Sequence, residues 1–205
     1  MTVSAADGTA IWGDLYRANV AAIGRLAADL ADEQLAEFVP ATPAWTIHDV
    51  LAHLAGSPAD LVTGRMDGAP RPEWTARHVS ERMGTPVADL TAELESHQDA
   101  IVASTIDNPR PALAWDIAVH HADLSEALGR GVLPEELWAP VGAAVAAMKF
   151  GTAGVPEDLD PYELFRALFS RRSRAQMQAW GLPLSADQLD DLCMFGPRED
   201  DQPVP

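Results

Sequence analysis

Cysteine and basic residues are both scarce in this sequence. A single cysteine, Cys193, among 205 residues excludes a disulfide framework and a cysteine-rich zinc site. Lysine and arginine total 14 against 31 aspartates and glutamates, which leaves a formal charge of −17. A charge of this sign repels nucleic-acid phosphates and anionic membrane surfaces. We therefore expect no nucleic-acid partner.

Long apolar runs are missing as well. The first residues lack the basic start and apolar stretch of a signal peptide, and no segment reaches the roughly 20 apolar residues of a membrane span. We expect a cytoplasmic protein, monomeric or homodimeric, without a membrane partner. The 47% of hydrophobic and 22% of charged residues fit one globular domain, or a core with an appendage.

Apolar residues recur at helical spacing along the chain, and no run shows the alternation of a strand. The pattern predicts four principal helices, over residues 10–32, 47–56, 86–101 and 112–128. Thr46 and Asp49 form a plausible capping pair before the second helix, which Pro58 is expected to end or kink.

Further helices are predicted over residues 134–150, from 161 to about 180, and from 185 to about 195. The expected fold is all-α, an antiparallel four-helix bundle over residues 1–132 with a helical extension, residues 133–205, packed on it.

Two histidines and a carboxylate are candidates for a metal site. His53 lies in an apolar segment, and Asp116 and His120 stand four apart on a later helix, hence on one face. Zinc at catalytic sites commonly takes three protein ligands and leaves one position for water or substrate. The spacing alone leaves a second interpretation open, in which His53 is a hydrogen-bonded core residue and the Asp/His pair is solvated.

Three blocks of sequence resemble the DinB-like proteins of the mycothiol-dependent maleylpyruvate isomerase type, in their shorter actinobacterial form. They are residues 45–54 (WTIHDVLAHL), 115–124 (WDIAVHHADL) and 161–176 (PYELFRALFSRRSRAQ). The resemblance extends over nearly the whole chain, from about residue 10 to 198, and the order of the blocks is specific.

This resemblance implies a DinB-like bundle that holds a divalent metal, usually zinc, with mycothiol or a similar small thiol as cosubstrate. His53, Asp116 and His120 would be the ligands. The family commonly has glutamate where this chain has Asp116, and the shorter side chain reaches less far from the helix axis. The family also has glycine where Ser170 stands.

Three further residues could assist the metal site. Asp49 lies four residues from His53 and Asp123 three from His120, so either carboxylate could orient the neighbouring ring. His97 sits in the apolar stripe of its predicted helix and could face the same cavity. The alternatives are a capping role for Asp49, a structural role for Asp123 and a buried neutral ring for His97.

Arginines cluster near the C terminus of this acidic chain. Arg166, Arg171 and Arg172 could bind a carboxylate of the substrate or thiol, which the net charge would otherwise repel. On a continuous helix Arg171 and Arg172 would point about 100° apart, so that one reaches the pocket. The alternative is a solvated cationic helix surface.

The leading hypothesis is a metal- and thiol-dependent isomerase or S-transferase that acts on a small electrophilic, carboxylate-bearing substrate. In an isomerase the thiolate would add to an activated double bond, permit rotation and leave, whereas in a transferase the adduct would be the product. Cys193 has no adjacent base or cation run and is a poor nucleophile candidate. The alternatives are a non-catalytic small-molecule or metal-binding module and a metal-dependent hydrolase.

Overall fold

The computed structural model describes residues 5–205, which divide into two compact units, one ending at Leu128 and the other comprising Gly129–Pro205. In chain order the first unit contains α1 (Ala5–Ala28), α2 (Asp32–Leu35), β1 (Phe38–Val39), β2 (Thr42–Thr46), α3 (Ile47–Thr63), α4 (Pro72–Glu81), α5 (Val87–Ser96), α6 (Gln98–Ser104) and α7 (Ala112–Ala127). Helices predominate, so the predicted all-α class is confirmed. Among residues 5–205, every helix is too short or too polar to cross a membrane.

The first unit is a helical bundle closed by apolar faces. Helix α1 packs against α5, α6 and α7, and α3 packs against α4, α5 and α7. The side chains that are fully withdrawn from solvent at the centre include Ile23, Ile47, Val50, Ile101 and Leu124. Each buried aliphatic side chain of this size contributes about 1.5 to 3 kcal/mol, so the bundle rests on these contacts.

The start of α3 follows the predicted capping pattern. The Thr46 hydroxyl accepts a hydrogen bond from the Asp49 amide at 3.2 Å, and the Asp49 carboxylate accepts one from the Thr46 amide at 2.9 Å. The helix then continues through Pro58 to Thr63 without ending there. Proline removes one backbone donor from a helix, and the packing of α3 against three other helices outweighs that loss.

Two local predictions for the first unit are wrong. The helix predicted over residues 86–101 is divided at His97, where ψ is −4°, into α5 and α6. The segment before α3, where no strand is predicted, forms an antiparallel hairpin in which Phe38 pairs with Thr46 and Val39 with Thr42. A two-residue strand such as β1 is too short to show alternation.

The second unit is also helical. It contains a 3₁₀ turn (Glu135–Leu137), α8 (Ala139–Phe150), a second 3₁₀ turn (Gly151–Ala153), α9 (Pro161–Leu168), α10 (Arg174–Gln178) and α11 (Ala186–Leu192). Helices α8 and α9 pack closely on each other. Trp138 stacks on Phe165 with ring centroids 5.5 Å apart, and Tyr162 meets the edge of Trp138 at 5.0 Å. All three of these aromatic residues are buried in the second unit.

The continuous helix predicted from residue 161 to about 180 is wrong. Helix α9 ends at Leu168, Ser170 adopts a left-handed φ of 63°, and a new helix begins after Ser173. Ser173 and Gln176 form a reciprocal capping box that restarts the helix. Ser170 stands where the resembling family has glycine, the residue that adopts this φ most readily. The Ser170 hydroxyl accepts a hydrogen bond from the Phe195 amide at 3.1 Å, which offsets part of the backbone strain of a positive φ.

A buried ion pair ties the segment after α9 to that helix. Arg172 is 0% exposed, and its Nε and Nη2 atoms lie 2.7 and 2.6 Å from the two carboxylate oxygens of Glu163. Such bidentate contacts are the strongest that an arginine forms with a carboxylate. The pair explains the burial of Arg172 within the second unit.

Removal of the negative charge from this pair should destabilise the second unit. We expect Glu163→Gln to lower the free energy of unfolding by about 2 kcal/mol or more, because Arg172 would keep its buried charge without its anion. The matched control is Glu199→Gln at an ion pair with Arg174, where Glu199 is 83% exposed; it should cost less than about 1 kcal/mol. Urea unfolding followed by tryptophan fluorescence gives the free energy of unfolding of both variants. Equal losses in the two variants would contradict a stabilising role for the buried pair of Arg172 and Glu163.

Candidate metal centre

The packing of α3 against α7 brings together residues 63 positions apart. His53 lies on the second turn of α3, and Asp116 and His120 lie one turn apart on α7. One ligand atom from each of the three residues lies within 4.8 Å of the other two. The spacing argument from the sequence thus selects three residues that the structure places in a single group.

The distances within this group suit a small divalent cation. Oδ2 of Asp116 lies 3.2 Å from Nε2 of His53, and Oδ1 lies 3.6 Å from Nε2 of His120. Ligands at about 2.0 to 2.1 Å from a tetrahedral zinc ion are separated by about 3.3 Å. The aspartate is therefore long enough to meet both imidazoles, although the resembling family commonly has glutamate there.

The group is buried on one side and accessible on the other. His53 is 2% exposed and His120 6%, whereas the Asp116 side chain is 34% exposed. Trp45, from β2, lies beside both imidazoles, with ring centroids 5.0 Å from His53 and 5.9 Å from His120. The carboxylate edge of the group is therefore open to solvent, whereas the imidazoles are enclosed.

The outer nitrogen of His120 faces a second carboxylate. Nδ1 of His120 lies 2.9 Å from Oδ2 of Asp123, at the distance of an ion pair but not in the alignment of a hydrogen bond. Asp123 is 1% exposed. A carboxylate at this position favours the tautomer with its proton on Nδ1, which directs the lone pair of Nε2 towards Asp116.

The outer nitrogen of His53 faces another histidine, which sequence analysis missed. Nδ1 of His53 lies 3.1 Å from Nδ1 of His78, and Nε2 of His78 lies 2.8 Å from Oδ2 of Asp60. Asp60 also accepts hydrogen bonds from Arg77 at 2.5 and 3.2 Å. His78 belongs to α4, which has few apolar residues to form a helical pattern. The one signal for it was its i,i+4 spacing from Trp74, and these rings meet at 4.2 Å.

Burial and hydrogen bonds shift the pKa values of His78 and Asp60, the two residues that follow His53 in this line of contacts. Burial lowers the pKa of His78, and the bond to Asp60 offsets only part of that effect. Burial would raise the pKa of Asp60, but the hydrogen bonds from Arg77 and His78 outweigh it and the pKa is lowered. His78 is therefore neutral and Asp60 anionic near neutral pH.

Two neighbours of the site on α1 and α7 are uncharged. Burial and the charge of Asp116 raise the pKa of Tyr16, so its phenol stays protonated. Burial and the charge of Arg25 lower the pKa of His121 to about 4. Nδ1 of His121 donates to Oδ1 of Asn19 at 2.8 Å, so this ring has a structural partner away from His120.

The other residues predicted to assist the site, Asp49, His97 and the arginines, lie outside the group of three donors. Asp49 belongs to the cap of α3, and His97 is half-buried at the junction of α5 and α6, outside the group of three donors. The predicted placement of the arginines on a helix is wrong for Arg171 and Arg172, which lie in the segment between α9 and α10.

All three arginines are in the second unit and are buried. Arg172 pairs with Glu163, Nη1 of Arg171 donates to the Phe169 carbonyl at 2.7 Å, and Arg166 lies 5.9 Å from the ring centre of Phe165. An anion-binding role for Arg166, Arg171 and Arg172 stays a prediction.

Fold and site together define a helical bundle with a candidate divalent-metal centre between two helices. The chain matches the family model of the mycothiol maleylpyruvate isomerase N-terminal domain over residues 16–146, more than half of its length. It belongs to this family, and its bundle is DinB-like, as predicted. No curated protein and no solved structure matches the chain.

The thiol of Cys193 is not activated by its surroundings. It is 6% exposed and lies 3.9 Å from the sulfur of Met177, and burial raises its pKa. A thiol becomes nucleophilic through ionisation, which these surroundings oppose.

We therefore expect iodoacetamide to alkylate Cys193 in the native protein at least about tenfold more slowly than in the urea-unfolded protein at the same pH. Mass spectrometry of timed samples gives both rates, and Cys193→Ser provides the blank. Equal rates in the two states would show that the thiol is accessible and reactive.

Proposed function

We propose that this protein is a divalent-metal-dependent, small-thiol-dependent isomerase or S-transferase that acts on a small electrophilic, carboxylate-bearing substrate. The observation that supports this most directly is the group formed by His53, Asp116 and His120, with donor atoms within 4.8 Å of one another. The family is named for mycothiol maleylpyruvate isomerase, which makes mycothiol or a similar thiol the first cosubstrate to test.

In this proposal His53, Asp116 and His120 hold the metal, most suitably zinc, because zinc accepts imidazole nitrogen and carboxylate oxygen together. When bound, the metal lowers the pKa of a small thiol so that the thiolate is available at neutral pH. The buried rings of His53 and His120 and the partly buried ring of Trp45 keep water away from one side, and the exposed edge of Asp116 admits the small molecules.

Cys193, the single cysteine of the sequence, is a poor nucleophile because it is buried in the second unit with a raised pKa. A small thiol would supply the nucleophile that the chain lacks. We place the enzyme in the cytoplasm, where such thiols are kept reduced.

Removal of either histidine should abolish metal binding. We expect His53→Ala and His120→Ala each to purify without metal while their helical circular dichroism stays largely intact, because the bundle is stabilised by its apolar core. Asp116→Ala should weaken binding less than either change. Plasma emission spectroscopy on protein prepared without a histidine tag gives the metal content.

The wild-type protein is the reference for this comparison. A metal-free wild type would favour a non-catalytic binding module. Stoichiometric metal in a His53→Ala, His120→Ala double variant would rule out this ligand set.

Turnover should require an added small thiol and should not require Cys193. We expect Cys193→Ser to retain its rate with saturating thiol and a maleylpyruvate-type test substrate, since the buried thiol has no part in the reaction. A loss of more than roughly a hundredfold in a well-folded variant, about 2.7 kcal/mol of barrier, would mean that the protein provides its own nucleophile.

A further inference from the structure

We propose that His78 is a positioning residue for the metal centre, and that Asp60 and His78 together set the tautomer of His53. The contacts form a continuous line in which Asp60 meets Nε2 of His78 and Nδ1 of His78 meets Nδ1 of His53. The inference rests on the proposed function, since it concerns how one proposed ligand is held.

The direction of the hydrogen bonds follows from the anionic end of the line. An ionised carboxylate can only accept, so Nε2 of His78 carries the proton and donates to Asp60. With that proton on Nε2, Nδ1 of His78 offers a lone pair to Nδ1 of His53, which lies 3.1 Å away. A metal bound between Nε2 of His53 and Asp116, which lie 3.2 Å apart, would use the lone pair of Nε2 and leave the ring proton on Nδ1, facing His78.

The charge of Asp60 is maintained from the far side. Arg77 approaches both of its carboxylate oxygens, at 3.2 and 2.5 Å, and Nε of Arg65 lies 3.7 Å from Oδ1. Asp60 is 2% exposed and His78 is 0% exposed, so water cannot substitute for either partner. The order of donors and acceptors is therefore set within the protein.

The packing of α3 holds the His78 ring in place. A Cβ atom built on Gly56 would lie 2.6 Å from Cγ, 2.7 Å from Cβ and 2.8 Å from Cδ2 of His78. The imidazole thus rests directly on the backbone of the helix that carries His53. Any larger residue at position 56 must displace the ring, although glycine inside a helix costs about 1 kcal/mol relative to alanine.

Two variants of His78 separate its hydrogen bonds from its bulk. His78→Phe keeps a ring against Gly56 but offers neither acceptor nor donor, whereas His78→Gln offers both. We expect His78→Phe to bind Zn²⁺ ten- to a hundredfold more weakly than the wild type, the usual effect of losing a partner of a ligating histidine. His78→Gln should stay within about threefold of the wild type. Competition with a chromophoric chelator on metal-stripped protein gives the affinities.

A pair of glycine variants tests the same inference without altering a polar group. Gly56→Ala must displace His78 and should weaken Zn²⁺ binding by about tenfold. Gly24→Ala is the matched control, because a Cβ on this helical glycine of α1 meets no atom within 4 Å; its affinity should equal that of the wild type. If His78→Phe does not fold, the glycine pair decides the question.

The outcomes distinguish this inference from the proposed function. A wild-type protein without Zn²⁺ affinity would overturn both. A wild type that binds Zn²⁺ while folded His78→Phe or Gly56→Ala binds it equally tightly would overturn the role of His78 alone. An affinity of His78→Gln as low as that of His78→Phe would also overturn it, because the donor and acceptor would then be irrelevant.

Discussion

The contact between α3 and α7 is the constraint on which the candidate centre depends. Packed helix axes lie about 8 to 10 Å apart, so side chains of the length of histidine and aspartate that face each other across the contact must meet. The apolar residues beside them close the contact, with Val50 and Ile117 withdrawn from solvent. His53 is thereby held opposite Asp116 and His120, and a buried imidazole in this position needs polar partners on both nitrogens.

The outer nitrogens of the two histidines face polar groups of different origin. His120 uses Asp123 on its own helix, three residues away, so its outer partner is fixed by helix geometry alone. His53 uses His78 from α4, so its partner depends on tertiary packing. A change in the position of α4 would therefore act on only one side of the centre. The strongly acidic chain attracts divalent cations and opposes the approach of a carboxylate substrate, which makes local positive charge valuable at such a site.

Patterns local in sequence predicted the all-α class, the cap of α3 and the spacing of Asp116 and His120. What could not be predicted lies in contacts between elements. Nothing near His78 in sequence indicates that its ring reaches α3, because α4 has few apolar residues and its partner Asp60 lies 18 positions earlier. The continuous helix predicted from residue 161 is interrupted because the capping box at Ser173 starts a new helix, and capping outweighs the helical propensity of the residues before it.

The close approach of Gly56 to His78 links two positions that are 22 residues apart and chemically unrelated. Because no side chain at position 56 can coexist with an imidazole placed as it is here, Gly56 cannot change while His78 keeps its position. Among chains of this family, positions 56 and 78 should therefore vary as a pair, with histidine at the second only where the first is glycine. Such covariation would identify the members that hold the α3 histidine in this way, before any of their structures is known.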